Sequence, residues 1–188
     1  MRQASWVLMV AGLVTLAYCG ACLADTWFSQ HLGEGKLERQ TETVSVDRVD
    51  KGDPIGRIEI SRLGISAVIL EGSDETVLRR GVGHIPGTAF PGRSGNVGLA
   101  AHRDTFFRGL RNVRRNDVVI LRTPRGEYRY RVVSTKKVVP KAVEVLRPTE
   151  EETVTLVTCF PFDFIGSAPQ RFIVSAVRTA PSGQPSTK

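Results

Sequence analysis

The chain has 188 residues, of which 41% are hydrophobic and 24% are charged, and these proportions are typical of one folded domain with a short appendage. Its net charge of +7 would permit contact with nucleic acid, but no RNA- or DNA-binding signature accompanies it. A solvated basic surface is therefore the favoured interpretation, and no nucleic-acid partner is predicted. Cys159 is the one cysteine in the predicted folded part, which excludes a disulfide framework there.

The first predicted element is an apolar segment, Ala4–Ala24, that carries no charge. About 20 apolar residues suffice to cross a bilayer as a helix, so the segment is either an uncleaved signal anchor or a cleavable signal peptide. Its length and the Trp27-Phe28 pair, which suits the membrane interface, favour an anchor. The small-residue end at Cys22–Ala24 keeps cleavage open, and Arg2 predicts a cytoplasmic N-terminus.

The chain as a whole is predicted to have four parts. Residues 1–27 form the signal anchor or transmembrane segment, and residues 28–54 form a polar linker that is poor in large apolar residues. Residues 55–178 form the folded domain, and residues 179–188 form a disordered tail rich in Pro and Ser. This organisation predicts a single-pass protein of the plasma membrane, with its folded domain on the extracytoplasmic side.

The folded domain has the pattern of an all-β structure with frequent turns. Thr76–Gly81 is predicted as one short helical turn, Phe106–Val113 as a loop or short helix, and Thr123–Gly126 as a hairpin turn. The predicted strands are Ile58–Ser61, Ser66–Leu70, Gly95–Ala101, Asp117–Arg122, Glu127–Val133, Lys136–Val139, Thr153–Cys159 and Arg171–Val177. Strands this short imply a β-sandwich or a closed barrel.

Several side chains that could carry chemistry lie at predicted strand ends. His102 follows the strand in NVGLAAHRD, Cys159 ends its own strand, and Arg171 begins the last one. His84 lies in a predicted turn-rich loop, RRGVGHIPGTAFPG, and His31 lies in the linker. Taken singly, each is more often structural than catalytic, since a free cysteine is usually a small buried hydrophobe.

Taken together, these residues permit a nucleophilic site. Chemistry at a carbonyl needs a nucleophile, a proton donor or acceptor, and positive charge for the oxyanion. A free thiol has a pKa of about 8.5, and nearby cations such as Arg or protonated His favour its thiolate. Cys159, His102 and Arg171 could meet at one mouth of a barrel, which makes a cysteine nucleophile plausible.

The motifs around these residues resemble those of the sortase family, the membrane-anchored cysteine transpeptidases of bacteria. Thr155–Cys159 matches the family's TLxTC motif, Asn96–Arg103 matches the strand carrying the family histidine, and Arg171–Val174 matches the strand opened by the family arginine. The stretch FPFDFIGSAPQRF after Cys159 looks most like class D. One departure is Ala101, where glycine commonly precedes the histidine.

This resemblance implies a closed eight-strand sortase-type β-barrel with short helices in loops, and it implies a reaction. Cys159 would attack the carbonyl after Thr in an LPxTG-like sorting signal, form a thioacyl-enzyme, and pass the acyl group to an amine. His102 would be the general acid and then the base, and Arg171 would stabilise the oxyanion. Thr158 and His84 would contact substrate, with no metal in the site.

The resemblance also implies the partners. They are LPxTG-like sorting-signal proteins and an amine acceptor such as a peptidoglycan precursor or a pilin lysine. No cofactor is expected, and calcium dependence is left open because Glu71, Asp74 and Glu75 are acidic neighbours whose usual role would be solvated turn residues. His31–Asp53 contains no convincing acidic-aromatic lid motif of pilin-polymerising relatives, which favours anchoring of surface proteins.

Two alternatives stand beside this interpretation. One is another extracytoplasmic enzyme, a cysteine peptidase or an L,D-transpeptidase, although SxGC-type, papain-like and caspase-like cysteine contexts are absent. The other is a catalytically inert anchored β-domain that binds wall polymer, in which Cys159 would be an unreactive thiol.

Overall fold

The computed structural model describes residues 49–164 and 166–179. The predicted signal anchor, most of the predicted linker and most of the predicted tail lie outside these residues. Within the described ranges, no helix is long and apolar enough to span a membrane.

Eight strands and a few short helices make up the described chain. The strands are β1 (Pro54–Ile60), β2 (Ile65–Glu71), β3 (Val82–His84), β4 (Asn96–Ala100), β5 (Val118–Thr123), β6 (Gly126–Val138), β7 (Thr153–Phe160) and β8 (Gln170–Arg178). One α-helix, α1 (Glu75–Leu78), follows β2. Three 3₁₀ helices lie in connections, namely η1 (Ser61–Leu63), η2 (Arg108–Asn112) and η3 (Val143–Leu146).

The strands close into a barrel in the order β1-β2-β3-β4-β7-β8-β6-β5, which confirms the predicted closed eight-strand architecture. The pairs β2–β3 and β4–β7 are parallel, and the other pairs are antiparallel. Strands β4, β6 and β7 therefore end, and β8 begins, at the same end of the barrel. We call this end the upper end.

Alternation along β4 and β7 determines which side chains enter the core. Val97, Leu99 and Ala101 belong to the buried cluster, as do Val154 and Leu156 of β7. Because successive side chains of a strand point to opposite faces, the residues between them face outward. The two parallel neighbours thus share one outer face over the whole length of their pairing.

Two predicted elements were wrong in detail. The predicted strands Glu127–Val133 and Lys136–Val139 are one strand, β6, whose register against β8 shifts between Val132 and Ser134. This shift is a bulge, in which one extra residue breaks the alternation without ending the strand. The stretch predicted as a turn-rich loop around His84 contains β3, which has only three residues and is too short to give a periodic signal.

The connection from β4 to β5 crosses the upper end and contributes to the core there. Phe107 and Leu110 in this connection are fully buried within the main cluster. Arg62 of η1 holds two points of this connection, since it donates hydrogen bonds to Asn112 O at 2.7 Å and to both carboxylate oxygens of Asp117, the residue before β5. Burial and an ion pair thus hold the chain segment that follows His102.

We expect the Arg62–Asp117 pair to make stability depend on pH. The hydrogen bond from Arg62 holds the pKa of Asp117, which is 7% exposed, below its ordinary value. A depressed pKa means that the stabilisation is present above the unfolded value of about 3.9 and is lost as the pH falls through the folded value. Asp117→Asn should lower the free energy of unfolding by about 1–3 kcal/mol at pH 7.

Urea denaturation of the wild type and of Asp117→Asn at several pH values measures this effect. The difference in the free energy of unfolding between the two proteins should shrink progressively as the pH falls below about 4. An equal difference at pH 7 and at pH 3 would show that the charge of Asp117 is not what stabilises the upper end.

Candidate active site

Cys159 lies on the outer face of β7, near the upper end. Val154, Leu156 and Thr158 alternate with it and are buried, so its side chain points away from the core. The thiol is free and half-buried. β7 continues to Phe160, one residue beyond the predicted strand end.

Arg171 lies directly beside Cys159 on the next strand. The two residues are opposite each other in the antiparallel β7–β8 ladder. Directly opposed residues have Cβ atoms about 4.5–5.5 Å apart on the same face of a sheet. Nη1 of Arg171 donates to Ala168 O at 3.3 Å and to Gln170 O at 3.2 Å, which holds the guanidinium at the start of β8.

His102 follows β4, the strand on the opposite side of β7 from β8. β4 runs parallel to β7, with Ala100 opposite Val157, and Ala101 N donates to Val157 O at 3.2 Å. His102 lies two residues beyond the end of β4, so it lies at the same upper end of the barrel as Cys159. The imidazole is 31% exposed, and its Nε2 lies 3.6 Å from Glu75 Oε2.

The fold therefore brings the three predicted catalytic residues together. Cys159 and Arg171 lie on the outer face of β7 and β8 at the upper end, and His102 lies two residues beyond the end of the adjacent strand β4 at the same end. A thiol, an imidazole and a guanidinium at one end of a barrel are the components needed for acyl transfer through a thioester. Catalytic roles for Cys159, His102 and Arg171 remain predictions that mutation can test.

Thr158 has a different environment from the one predicted. Its side chain is buried on the core side of β7, and Oγ1 donates to Ala101 O at 2.7 Å. This bond joins β7 to the residue before His102, between the strands that carry the thiol and the imidazole. The contact of Thr158 with substrate stays a prediction. The position of Thr158 also suits a residue that fixes the spacing between β7 and the end of β4.

His84 is the last residue of β3 rather than part of a loop, and it is 1% exposed. Nδ1 lies 2.7 Å from Glu71 Oε2, Nε2 lies 3.0 Å from Ala89 O and 3.1 Å from Thr88 Oγ1, and the ring stacks on Phe90 at 4.6 Å. These contacts secure the β3–β4 connection. Its predicted substrate contact stays a prediction, and the structure places protein groups at both ring nitrogens.

The connections on either side of β4 are fixed by buried polar groups. Asn96 donates to Val145 O at 3.1 Å and to Arg147 O at 3.2 Å, and it accepts a hydrogen bond from Thr155 Oγ1 at 2.8 Å. A Cβ on Gly98 would lie only 2.9 Å from Thr88 Cγ2 and 3.1 Å from Leu146 Cδ2. The β3–β4 connection, which contains Thr88, and the β6–β7 connection, which contains Leu146, therefore both pack over this glycine.

On the outer face of β4 and β7, the residues nearer the upper end than Gly98 are less covered by these connections. Ala100, Val157 and Cys159 are all half-buried there, between the β3–β4 and β6–β7 connections. A peptide could therefore reach the thiol along the outer face of β4 and β7.

Arg103 is a residue whose contacts the sequence analysis missed. It donates to Pro161 O at 2.9 Å, to Phe164 O at 2.5 Å and to Gly166 O at 3.1 Å. These carbonyls belong to the connection between Cys159 and Arg171, so Arg103 fastens that connection to the residue after His102. Every residue has a backbone carbonyl, and the sequence therefore offers no signal for such a contact.

The three acidic neighbours considered for calcium each have a protein partner. Glu71 contacts His84, Asp74 accepts from Thr76 N at 3.0 Å as the N-cap of α1, and Glu75 pairs with Arg79 at 3.0 Å. The side-chain hydrogen bond from Thr76 holds the pKa of Asp74 well below its usual range. Across residues 49–164 and 166–179, no group of three or more His, Cys, Asp or Glu residues is arranged to hold a metal ion.

Comparison with known proteins assigns residues 58–179 to the Sortase domain family. The chain is 31% identical to Sortase D of Bacillus subtilis over 188 residues, which cover 91% of this chain and 95% of that protein. A Clostridium perfringens Sortase D5 transpeptidase structure matches with a TM-score of 0.73 and 26% identity, covering 81% of this chain and 99% of that one. C. perfringens sortase C, solved with the C-terminal cell wall sorting motif, matches with a TM-score of 0.65 and 26% identity, covering 81% and 88%.

Proposed function

The chain belongs to the sortase family of cysteine transpeptidases and is class D-like, and we propose that it cleaves an LPxTG-like sorting signal after Thr and transfers the acyl group to an amine, anchoring surface proteins. Membership of this family favours a sortase over the three alternatives, which were another cysteine peptidase, an L,D-transpeptidase and an inert β-domain. The observation that supports the proposal is that Cys159 and Arg171 pair across β7 and β8 at the upper end, where His102 follows the end of the neighbouring strand β4.

The first half of the proposed reaction forms a thioester. The thiolate of Cys159 attacks the Thr carbonyl carbon, so that a C–S bond forms and the carbonyl oxygen takes the negative charge. The C–N bond between that carbonyl carbon and the nitrogen of the following residue then breaks, and His102 gives a proton to the leaving amine. General acid catalysis of this kind contributes about 10²–10⁴-fold to the rate.

The second half transfers the acyl group. An acceptor amine attacks the thioester carbonyl, the new C–N bond forms, and the C–S bond breaks to release Cys159. His102, now neutral, takes the proton that the amine loses. Because His102 follows β4, the strand that pairs in parallel with β7, we expect this one residue to serve both halves without a change of fold.

Arg171 supplies the positive charge in both halves. A guanidinium has five N–H donors, and Arg171 uses only Nη1 for the carbonyls of Ala168 and Gln170. The remaining nitrogens can donate to the oxyanion, whose charge develops only in the transition state. A fixed donor aimed at that position accelerates acyl transfer more than it tightens substrate binding.

Exposed apolar side chains support a peptide substrate near this site. Val139 and Val143 are 61% and 73% exposed in the β6–β7 connection, and Phe164 is exposed in the β7–β8 connection. Val138 pairs with Arg171, which places Val139 beside the start of β8. Apolar side chains of a sorting signal could bury area there that the free protein leaves in water.

The test of this function mixes the full-length chain with labelled LPxTG- and LPxTA-like peptides and an amine acceptor. We expect cleavage after Thr and an amide product that contains both the acyl fragment and the amine. Absence of both cleavage and thioester capture, in protein shown to be folded, would contradict the proposed activity.

Replacing Arg171 separates its role from simple substrate binding. Arg171→Gln should lower kcat by about 10²–10³-fold with a smaller effect on KM, because the lost hydrogen bond stabilises the oxyanion. Arg171→Lys keeps the charge but loses the planar fork, and it should recover only part of the rate. Steady-state kinetics of both variants measure the effect.

Arg125→Gln is the matched control for these variants. Arg125 is exposed in the turn between β5 and β6, at the other end of the barrel. Its replacement should leave kcat and KM unchanged. A change confined to KM in Arg171→Gln would contradict the proposed role in the transition state.

A further inference from the structure

The connection between β7 and β8 joins the strands of Cys159 and Arg171, and burial holds only its first part. Phe162 is half-buried and packs against the main cluster, and its ring centre lies 5.4 Å from that of Phe172. The residues from 163 to 167 that the structure describes are all exposed. The later part of the connection therefore depends on hydrogen bonds rather than on apolar contacts for a fixed position.

Arg103 donates such hydrogen bonds. Its Nη1 donates to Pro161 O at 2.9 Å, and its Nη2 donates to Phe164 O at 2.5 Å and to Gly166 O at 3.1 Å. A guanidinium is planar and has five N–H donors in a fixed fork, so one side chain can hold three carbonyls at once. Arg103 thus fixes the connection at its beginning and in its exposed middle.

The backbone of Arg103 is fixed as well. Arg103 directly follows His102, and Phe107 N donates to His102 O at 3.1 Å, which closes the intervening residues into a turn. Phe107 is fully buried in the main cluster, and close packing there resists any shift of the far end of the turn. The β7–β8 connection is therefore attached to the core through the turn that contains His102.

The guanidinium of Arg171 depends on the far end of the same connection. Its Nη1 donates to Gln170 O at 3.2 Å and to Ala168 O at 3.3 Å. Gln170 belongs to β8, but Ala168 lies outside both strands. Because Ala168 follows Gly166 by two residues, which span at most about 7 Å, the bond from Arg103 to Gly166 limits where the Ala168 carbonyl can lie.

We propose that Arg103 is a positioning residue for Arg171. By holding the β7–β8 connection, it keeps the Ala168 carbonyl in the place from which that carbonyl orients the guanidinium toward the oxyanion. Arg103 takes no part in the bond changes, and its partners are backbone carbonyls rather than substrate. The inference rests on the proposed transpeptidation, because Arg103 acts through the role proposed there for Arg171.

Arg111 offers a matched control, because it links the same two connections in a more exposed place. It lies in η2 and pairs with Asp163 at 3.1 Å, and that side chain is 85% exposed. Exposed ion pairs contribute little, since water and salt screen them. Arg111→Gln therefore removes one arginine between the two connections without releasing the carbonyls of Phe164 and Gly166.

Steady-state kinetics of the full-length chain, with labelled sorting-signal peptide and amine, test the proposal. Arg103→Gln should lower kcat by about 10–10²-fold and change KM less than about twofold, because a small misplacement of a catalytic group slows the reaction without weakening substrate binding. Arg103→Lys keeps the charge but not the fork, and it should recover only part of the rate. Arg111→Gln should keep the wild-type kcat.

A double-mutant cycle tests whether Arg103 acts through Arg171. In the Arg171→Gln background, adding Arg103→Gln should change kcat less than about twofold, because the group that Arg103 positions is already gone. Independent effects would multiply, so a second loss of about 10–10²-fold would overturn the proposal. A rise of KM with an unchanged kcat in Arg103→Gln would also overturn it, since this result indicates direct contact with the peptide.

Native-state proteolysis adds a readout that does not need turnover. Chymotrypsin cleavage after Phe164, located by mass spectrometry, should be about fivefold or more faster in Arg103→Gln than in the wild type or Arg111→Gln, because the connection opens more often. An equal rate in all three proteins would overturn the proposed fastening. If the urea midpoint shows that Arg103→Gln does not fold, Arg103→Lys takes its place in both measurements.

Failure of this inference differs from failure of the proposed function. A folded wild type that neither cleaves the sorting signal nor forms amide would contradict the proposed function itself. Normal wild-type turnover with an unchanged kcat in Arg103→Gln would overturn only the positioning role.

Discussion

Cys159→Ala is expected to abolish both sorting-signal cleavage and amide formation. Without the sulfur there is no thioester, and removal of a covalent nucleophile lowers kcat by at least about 10⁴-fold in comparable enzymes. The fold should survive, since Cys159 lies half-buried on the outer face of β7 and the change removes one atom from the side chain. Product formation with labelled peptide and amine measures the loss.

Cys159→Ser is the matched variant for this prediction. It nearly keeps the size and the hydrogen-bonding pattern of the side chain but replaces the thiol with a hydroxyl, which is a far weaker nucleophile without its own activating base. We expect almost no turnover and an unchanged unfolding midpoint. Substantial amide formation by either folded variant would show that another residue carries the acyl group.

His102→Ala and His84→Ala are expected to have opposite effects. His102→Ala should lower kcat by about 10²–10⁴-fold and leave stability almost unchanged, because the imidazole is partly exposed and acts on protons of the reaction. His84→Ala should instead lower the free energy of unfolding by about 1–3 kcal/mol, because it leaves buried partners without their hydrogen bonds.

The comparison of the two histidine variants needs both kinetics and denaturation. A kcat profile against pH for the wild type and His102→Ala adds a further readout, since a general acid and base gives the wild type a pH dependence that the variant lacks. If His84→Ala abolished turnover while His102→Ala spared it, the assignment of the catalytic histidine would be wrong.

Strand positions could be predicted from alternation and turn chemistry, and this sufficed for an all-β domain. Thr153–Cys159 and Arg171–Val177 agree with β7 and β8 within a residue or two at each end. β3 was missed because three residues bounded by turns give no period to detect, and the β6 bulge was taken for a strand boundary. Short strands and bulges depend on their partners in the sheet, which local sequence does not reveal.

The candidate site could be predicted in its residue types but not in its arrangement. Cys159 and Arg171 are adjacent because β7 and β8 pair in one particular register, and His102 joins them because β4 pairs with β7 in parallel, far apart in the chain. Such pairings follow from closure of the barrel. The contacts of Arg103 with backbone carbonyls and of Glu75 with His102 depend equally on tertiary structure.

The most direct test of the account is to trap the acyl-enzyme. The full-length chain is mixed with an LPxTG-like peptide without acceptor, quenched in acid, digested, and examined by mass spectrometry. We predict that the acyl fragment ending in Thr is attached to the peptide that contains Cys159, and that hydroxylamine removes it as expected for a thioester. Cleavage of the sorting signal with no acyl group on Cys159, or with the acyl group on another residue, would contradict the proposed mechanism.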